Sequence, residues 1–145
     1  MKILIEDLKD DEEEQVIFKV KDLNKDVMRI IAYVKANQES IICYDENEIH
    51  KVAPSNIYYL EALDNKVLIY CRDKIFTSKE KLYFFEELFN GSDLIKVSKS
   101  MILNINRIKS LNPAFNGRFE AKLDNGEKVI ISRMYVPLLK ERFGL

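Results

Sequence analysis

Apolar and polar residues alternate over short runs through most of this chain, the pattern of strands with one buried face. Such runs occupy residues 40–44, 48–52, 57–62, 66–71 and 74–77. Asp45-Glu46-Asn47, Asp64-Asn65 and Arg72-Asp73 separate them, all of them turn-forming residue types, so the series predicts an antiparallel meander. Pro54-Ser55-Asn56 marks a break within it. A second series at residues 94–97, 102–104, 108–112, 118–123 and 129–132 is linked in part by Asn116-Gly117 and Asn125-Gly126, the strongest hairpin signals present.

Helical spacing occurs in three places. From Leu23, the residues Val27, Ile30, Ile31 and Val34 fall on one face of a helix that Asn24 or Asp22 can cap. A second helix is expected over 78–90, with Thr77 and Glu80 as a capping box, Leu82, Phe85, Leu88 and Phe89 as its core stripe, and Gly91 ending it. A short third helix over 136–143 would dock through Leu138, Leu139 and Phe143. Before the first helix, weaker alternation predicts strands at 2–6 and 16–20 around the acidic turn Asp10 to Glu14. The expectation is an α+β, mainly β fold in two parts: an acidic β-β-α extension at 1–46 and a larger unit at 47–145.

Composition refines this picture. The chain has 145 residues, of which 47% are apolar and 32% charged, enough for one core and a small appendage. With 23 Lys and Arg against 24 Asp and Glu, the net charge of −1 argues at first against a nucleic-acid partner. Residues 1–46, however, carry 7 basic and 12 acidic side chains, a net of −5, and the remainder carries 16 and 12, a net of +4. The near-neutral total hides two regions of opposite sign, which solvated faces or a polyanionic partner would each explain.

Chemistry for catalysis is sparse. His50 stands alone, there is no Cys/His cluster for zinc and no glycine-rich phosphate loop, so neither an enzyme nor a metal or other cofactor is expected. Cys43 and Cys71 lie in strand-like surroundings with no secretory signal before them, which suggests reduced thiols in a cytoplasmic protein.

Several blocks in fixed order carry a resemblance. They are Ile57-Tyr58-Tyr59-Leu60-Glu61-Ala62 with Asp64-Asn65-Lys66, the helix from Leu82 to Leu88, Ile95 through Asn104, Ile108 to Pro113, Asn125-Gly126-Glu127, and Ser132-Arg133-Met134-Tyr135-Val136. Together they resemble the LytTR family of bacterial DNA-binding domains over residues 52–144. The resemblance implies an elongated arrangement of antiparallel sheets around one helix. It also implies a regulator that reads double-stranded promoter DNA with loops between strands, in place of a helix laid in the groove.

Carried over residue by residue, the resemblance names three loops. Asn65 and Lys66 would contact an adenine edge and a phosphate or guanine, the alternative being that Asp64-Asn65 is chosen for its turn conformation alone. Lys99 would project to the groove while Ser100 closes the turn or meets a phosphate, the alternative being a solvated lysine. Arg133 would read guanine bidentately, and Tyr135 would pack beneath the loop or donate to a phosphate. Asn104 matches a family position for which a structural role is expected. The first segment is too short for the receiver that precedes many such units, so phosphoryl-Asp activation is not expected, and it looks like the extension of free-standing regulators, some of which are restrained by a small membrane protein. A homodimer on DNA is the other implied assembly. The competing class is a partner-binding or ligand-sensing module with only non-specific affinity for DNA.

Overall fold

The computed structural model describes residues 1–38 and 40–145, the side chains of 36–38 excepted. Helix α1 (Lys25–Gln38) precedes strands β1 (Ile41–Asp45), β2 (Glu48–Val52), β3 (Ile57–Leu63), β4 (Lys66–Cys71) and β5 (Ile75–Ser78). Helix α2 (Leu82–Leu88) leads into β6 (Leu94–Ser98), β7 (Met101–Asn104), β8 (Ile108–Pro113), β9 (Phe119–Leu123) and β10 (Lys128–Ile131), followed by α3 (Val136–Phe143). Seven strands in the order β2-β1-β5-β4-β3-β7-β6 form one antiparallel sheet, and β10-β9-β8 form a second. The fold is α+β and mainly β, as the alternating runs predict.

Each face of the larger sheet has its own core. On one face, Leu82, Phe85 and Phe89 of the α2 segment pack with Ile57, Leu60 and Ile69. On the other, Tyr58, Val97 and Leu103 meet Ala121 and Ile131 of the smaller sheet and Leu139 of α3. A register shift between Ile57 and Tyr59 breaks strict alternation in β3, so the consecutive Tyr58 and Tyr59 both serve the second core while Ile57 and Leu60 serve the first. Burying Phe85 alone contributes about 1.5–3 kcal/mol, which is why this short helix holds its place.

The turns follow their residue types. Asp64 and Asn65 both have positive φ, 50° and 62°, giving the left-handed pair that a two-residue hairpin requires. Gly126, at φ 89°, ends a three-residue loop closed by Leu123 N–H donating to the Glu127 carbonyl at 2.8 Å. Gly91, at φ 81°, turns the chain after α2, and a Cβ there would stand 3.1 Å from Ala32 Cβ, so it also lets α1 lie close.

Four sequence expectations are corrected. Residues 1–24 contain neither helix nor strand, and Ile5 is 92% exposed. The alternation at 2–6 and 16–20 finds no sheet edge, five consecutive acidic residues separate the two runs, and an isolated hairpin is marginal in water. Asn24, whose side chain accepts from Val27 N–H at 3.0 Å, caps α1, so Leu23 lies outside the helix and Val27 becomes its buried anchor. Helix α2 starts at Leu82 without the expected capping box, because Thr77 and Ser78 are held in the ladder of β5 with β4. Ser78 Oγ accepts from Glu80 N–H at 3.0 Å instead. Helix α3 docks through Val136 and Leu139, leaving Leu138 and Phe143 partly exposed.

Strand β1 belongs to the same sheet as the larger unit. It pairs along its whole length with β2 and touches β5 through Tyr44 opposite Thr77, which places Ile41 and Cys43 in the first core.

Candidate nucleic-acid interface

The strand directions bring the polar connectors together. β3 runs antiparallel to both β4 and β7, and β6 runs antiparallel to β7, so the β3–β4 turn and the β6–β7 turn leave the sheet at one end. Ala62 N–H donates to the Ser100 carbonyl at 2.8 Å, binding the first connector to the second. Two strand spacings, about 10 Å, separate their centres. Ser132 N–H donates to the Val97 carbonyl at 2.9 Å, which brings the connector after β10, a 3-10 turn over Arg133–Tyr135, to the same end.

Five of the six sequence-derived residues are exposed there: Asn65, Lys66, Lys99, Ser100 and Arg133. The side chains of Lys66, Lys99 and Arg133 make no hydrogen bond or ion pair with the described residues. Lys74 and Arg142, by contrast, are held by Asp45 and Asp93 at 2.8 and 2.6 Å. An unpaired cation on a sheet end keeps its full field for an incoming anion. Ser100 closes its turn, its N–H donating to Ser98 Oγ at 3.2 Å. Tyr135 is half-buried against the second core, so its ring supports the connector from beneath. Asn104 is buried and structural: its Nδ2 donates to the Ile57 carbonyl at 2.9 Å and its Oδ1 accepts from Asn106 N–H at 3.1 Å.

Sequence reasoning missed two cations at this end. Lys81, just before α2, lines a shallow cleft of about 230 Å³ with Asp64, Asn65 and Lys66. Arg118 is exposed on the β8–β9 connector, which reaches this end because Gly117 lies against the side chain of Arg133. The Asn-Gly signal marked that turn, but only the tertiary pairing of β10 with β9 and its link to β6 shows which loops it joins.

Residues 47–144 match the family model described as the LytTr DNA-binding domain. The chain belongs to the LytTr family. A solved LytTr DNA-binding domain from Bacillus cereus superposes with a TM-score of 0.68 at 28% identity, over 74% of this chain and 98% of that one. The sensory transduction protein LytT of Enterococcus faecalis is 40% identical over 60 residues, which cover 41% of this chain and 25% of the relative. LytT of Bacillus subtilis is 32% identical over 66 residues, 46% of this chain and 27% of that protein. The chain thus spans about a quarter of the length of these two relatives.

At the end of the LytTr unit away from the connectors, the two sheets are clamped. The Tyr58 hydroxyl donates to the Asp124 carboxylate, and Arg107 reaches Asp124 at 3.5 Å and the Ser55 carbonyl at 2.7 Å. The guanidinium of Arg107 also lies 4.8 Å from the centre of the Tyr58 ring. The Tyr58 hydroxyl, and then Arg107, hold the Asp124 carboxyl below the usual carboxylate range. In the first core, burial and then the neighbouring Cys71 push the Cys43 thiol up to about 11, and both cysteines are free. No helix among the described residues is long and apolar enough to cross a membrane.

Proposed function

We propose that this LytTr protein is a sequence-specific transcriptional regulator that reads promoter DNA with the connectors at one end of its sheets. The observation that carries the reading is the convergence of Lys66, Lys99 and Arg133, exposed and unpaired, on three connectors tied to each other by backbone hydrogen bonds. Arg133 takes the base-reading role, its guanidinium matched to guanine O6 and N7. Asn65 offers a paired donor and acceptor to an adenine edge, and Lys66 and Lys99 neutralise phosphates. Ser100 presents a hydroxyl to the backbone, and Tyr135 holds the Arg133 turn in place. The acidic first segment, with its charge of −5, faces away from the phosphates, and two copies bind neighbouring half-sites as a homodimer.

Selection of sequences from a random duplex pool tests the reading. Enrichment of a defined motif supports it. Steep salt-dependent binding with no enriched sequence overturns it in favour of non-specific contact.

A further inference from the structure

The β8–β9 connector, Phe115 to Arg118, has no counterpart among the three loops named from sequence. We infer that it is a fourth DNA-contacting element that also sets the path of the Arg133 side chain, an inference that rests on the reading of this end as the DNA-binding end.

Gly117 carries the geometry. A Cβ at this position would stand 3.0 Å from Arg133 Cδ and 3.1 Å from Cγ, so the absence of a side chain lets the arginine stem lie against the turn. Asn116 and Gly117 both have positive φ, 61° and 75°, which fixes the tip in a conformation few other residues adopt. The loop is closed on itself as well. Ala114 N–H donates to the Arg118 carbonyl at 2.8 Å, and Arg118 Nε donates to the Phe115 carbonyl at 3.1 Å.

Two side chains on this firm turn carry groups that the turn itself does not use. The terminal nitrogens of Arg118 bond to nothing among the described residues, and only its Nε is used to shape the turn. Phe115 is 79% exposed and belongs to neither core, while Met134, next to Arg133, is 77% exposed. A guanidinium anchored through one nitrogen presents its other donors to a phosphate. An exposed aromatic ring beside a base-reading arginine suits a deoxyribose or a thymine methyl. Gly117 acts as a positioning residue, because its effect on DNA passes through Arg133.

The test measures fluorescence anisotropy of a duplex enriched by the wild-type protein, at several salt concentrations. Arg118→Ala should reduce the slope of log affinity against log salt by about one. Phe115→Ala, at an exposed position where folding is insensitive, should weaken the enriched duplex about fivefold or more. Gly117→Ala should relax preference at the same base pair as Arg133→Ala, with little added loss when the two are combined. If Arg118→Ala and Phe115→Ala both keep wild-type affinity and slope while Arg133→Ala loses binding, the fourth contact is overturned and the general reading stands. If Arg133→Ala and Lys99→Ala are also indistinguishable from wild type, both are overturned.

Discussion

The backbone N–H of Ser132 donates to the carbonyl of Val97 at 2.9 Å, joining the end of β10 to the end of β6. This bond spans the two sheets, and it brings the connector of Arg133 to the end of β6 that leads into Lys99, although 34 positions of sequence separate the two residues. The base-reading role proposed for Arg133 needs such support, since a connector free to move would pay its ordering entropy on every encounter with DNA.

Arg133→Ala is expected to cost roughly 1–3 kcal/mol on the preferred duplex and to relax preference at one base pair. Lys66→Ala and Lys99→Ala should instead weaken all duplexes evenly, each lowering the salt slope by about one. Anisotropy titrations on preferred and scrambled duplexes separate the two behaviours.

Tyr58→Phe removes the donor to Asp124 and is expected to cost about 1 kcal/mol of stability in urea unfolding, with DNA affinity unchanged because the clamp lies at the far end. The folded carboxyl of Asp124 is depressed below its unfolded value of about 3.9, so its contribution is present above that pH and is lost as pH falls through the folded value. The stability gap between wild type and Tyr58→Phe should therefore be full near neutrality and narrow below about pH 4.

Removing residues 1–22 should leave the thermal midpoint unchanged, since no helix, strand or core residue lies there. Removing residues 1–46 takes away Val27, Ile41 and Cys43, all buried, and should cost roughly 5 kcal/mol or more. Calorimetry on the two truncations checks the difference.

Cys43 should resist a disulfide-exchange reagent at pH 8 until the protein is unfolded. Its thiol is buried and pushed up to about 11, so the reactive thiolate is scarce. Labelling of Cys43 at the rate of an exposed thiol would contradict this.

Much of this fold was legible in the sequence because its signals are local. Asp64-Asn65 declares its hairpin through residues that tolerate positive φ, and β4 is found where alternation placed it. The errors arose where a local pattern depends on a distant partner. The runs around Ile3 and Ile17 have the rhythm of strands but no edge to join, and Thr77 has the chemistry of a helix cap but is paired with Tyr44 and Leu68. The site shows the same division. Lys66, Lys99 and Arg133 were candidates only through the family resemblance, whereas Arg118 and Lys81 were not named, because their place at this end depends on long-range pairing between strands. The neutral total charge concealed all of them.

Amide chemical shifts of the labelled protein titrated with its enriched duplex test the central claim most directly. The account predicts that perturbations concentrate at 64–66, 98–100, 115–118 and 132–135, while α1, β2 and the Tyr58–Asp124 clamp stay near their free positions. Perturbations centred on α1 or β2, with the four connectors unmoved, would contradict it.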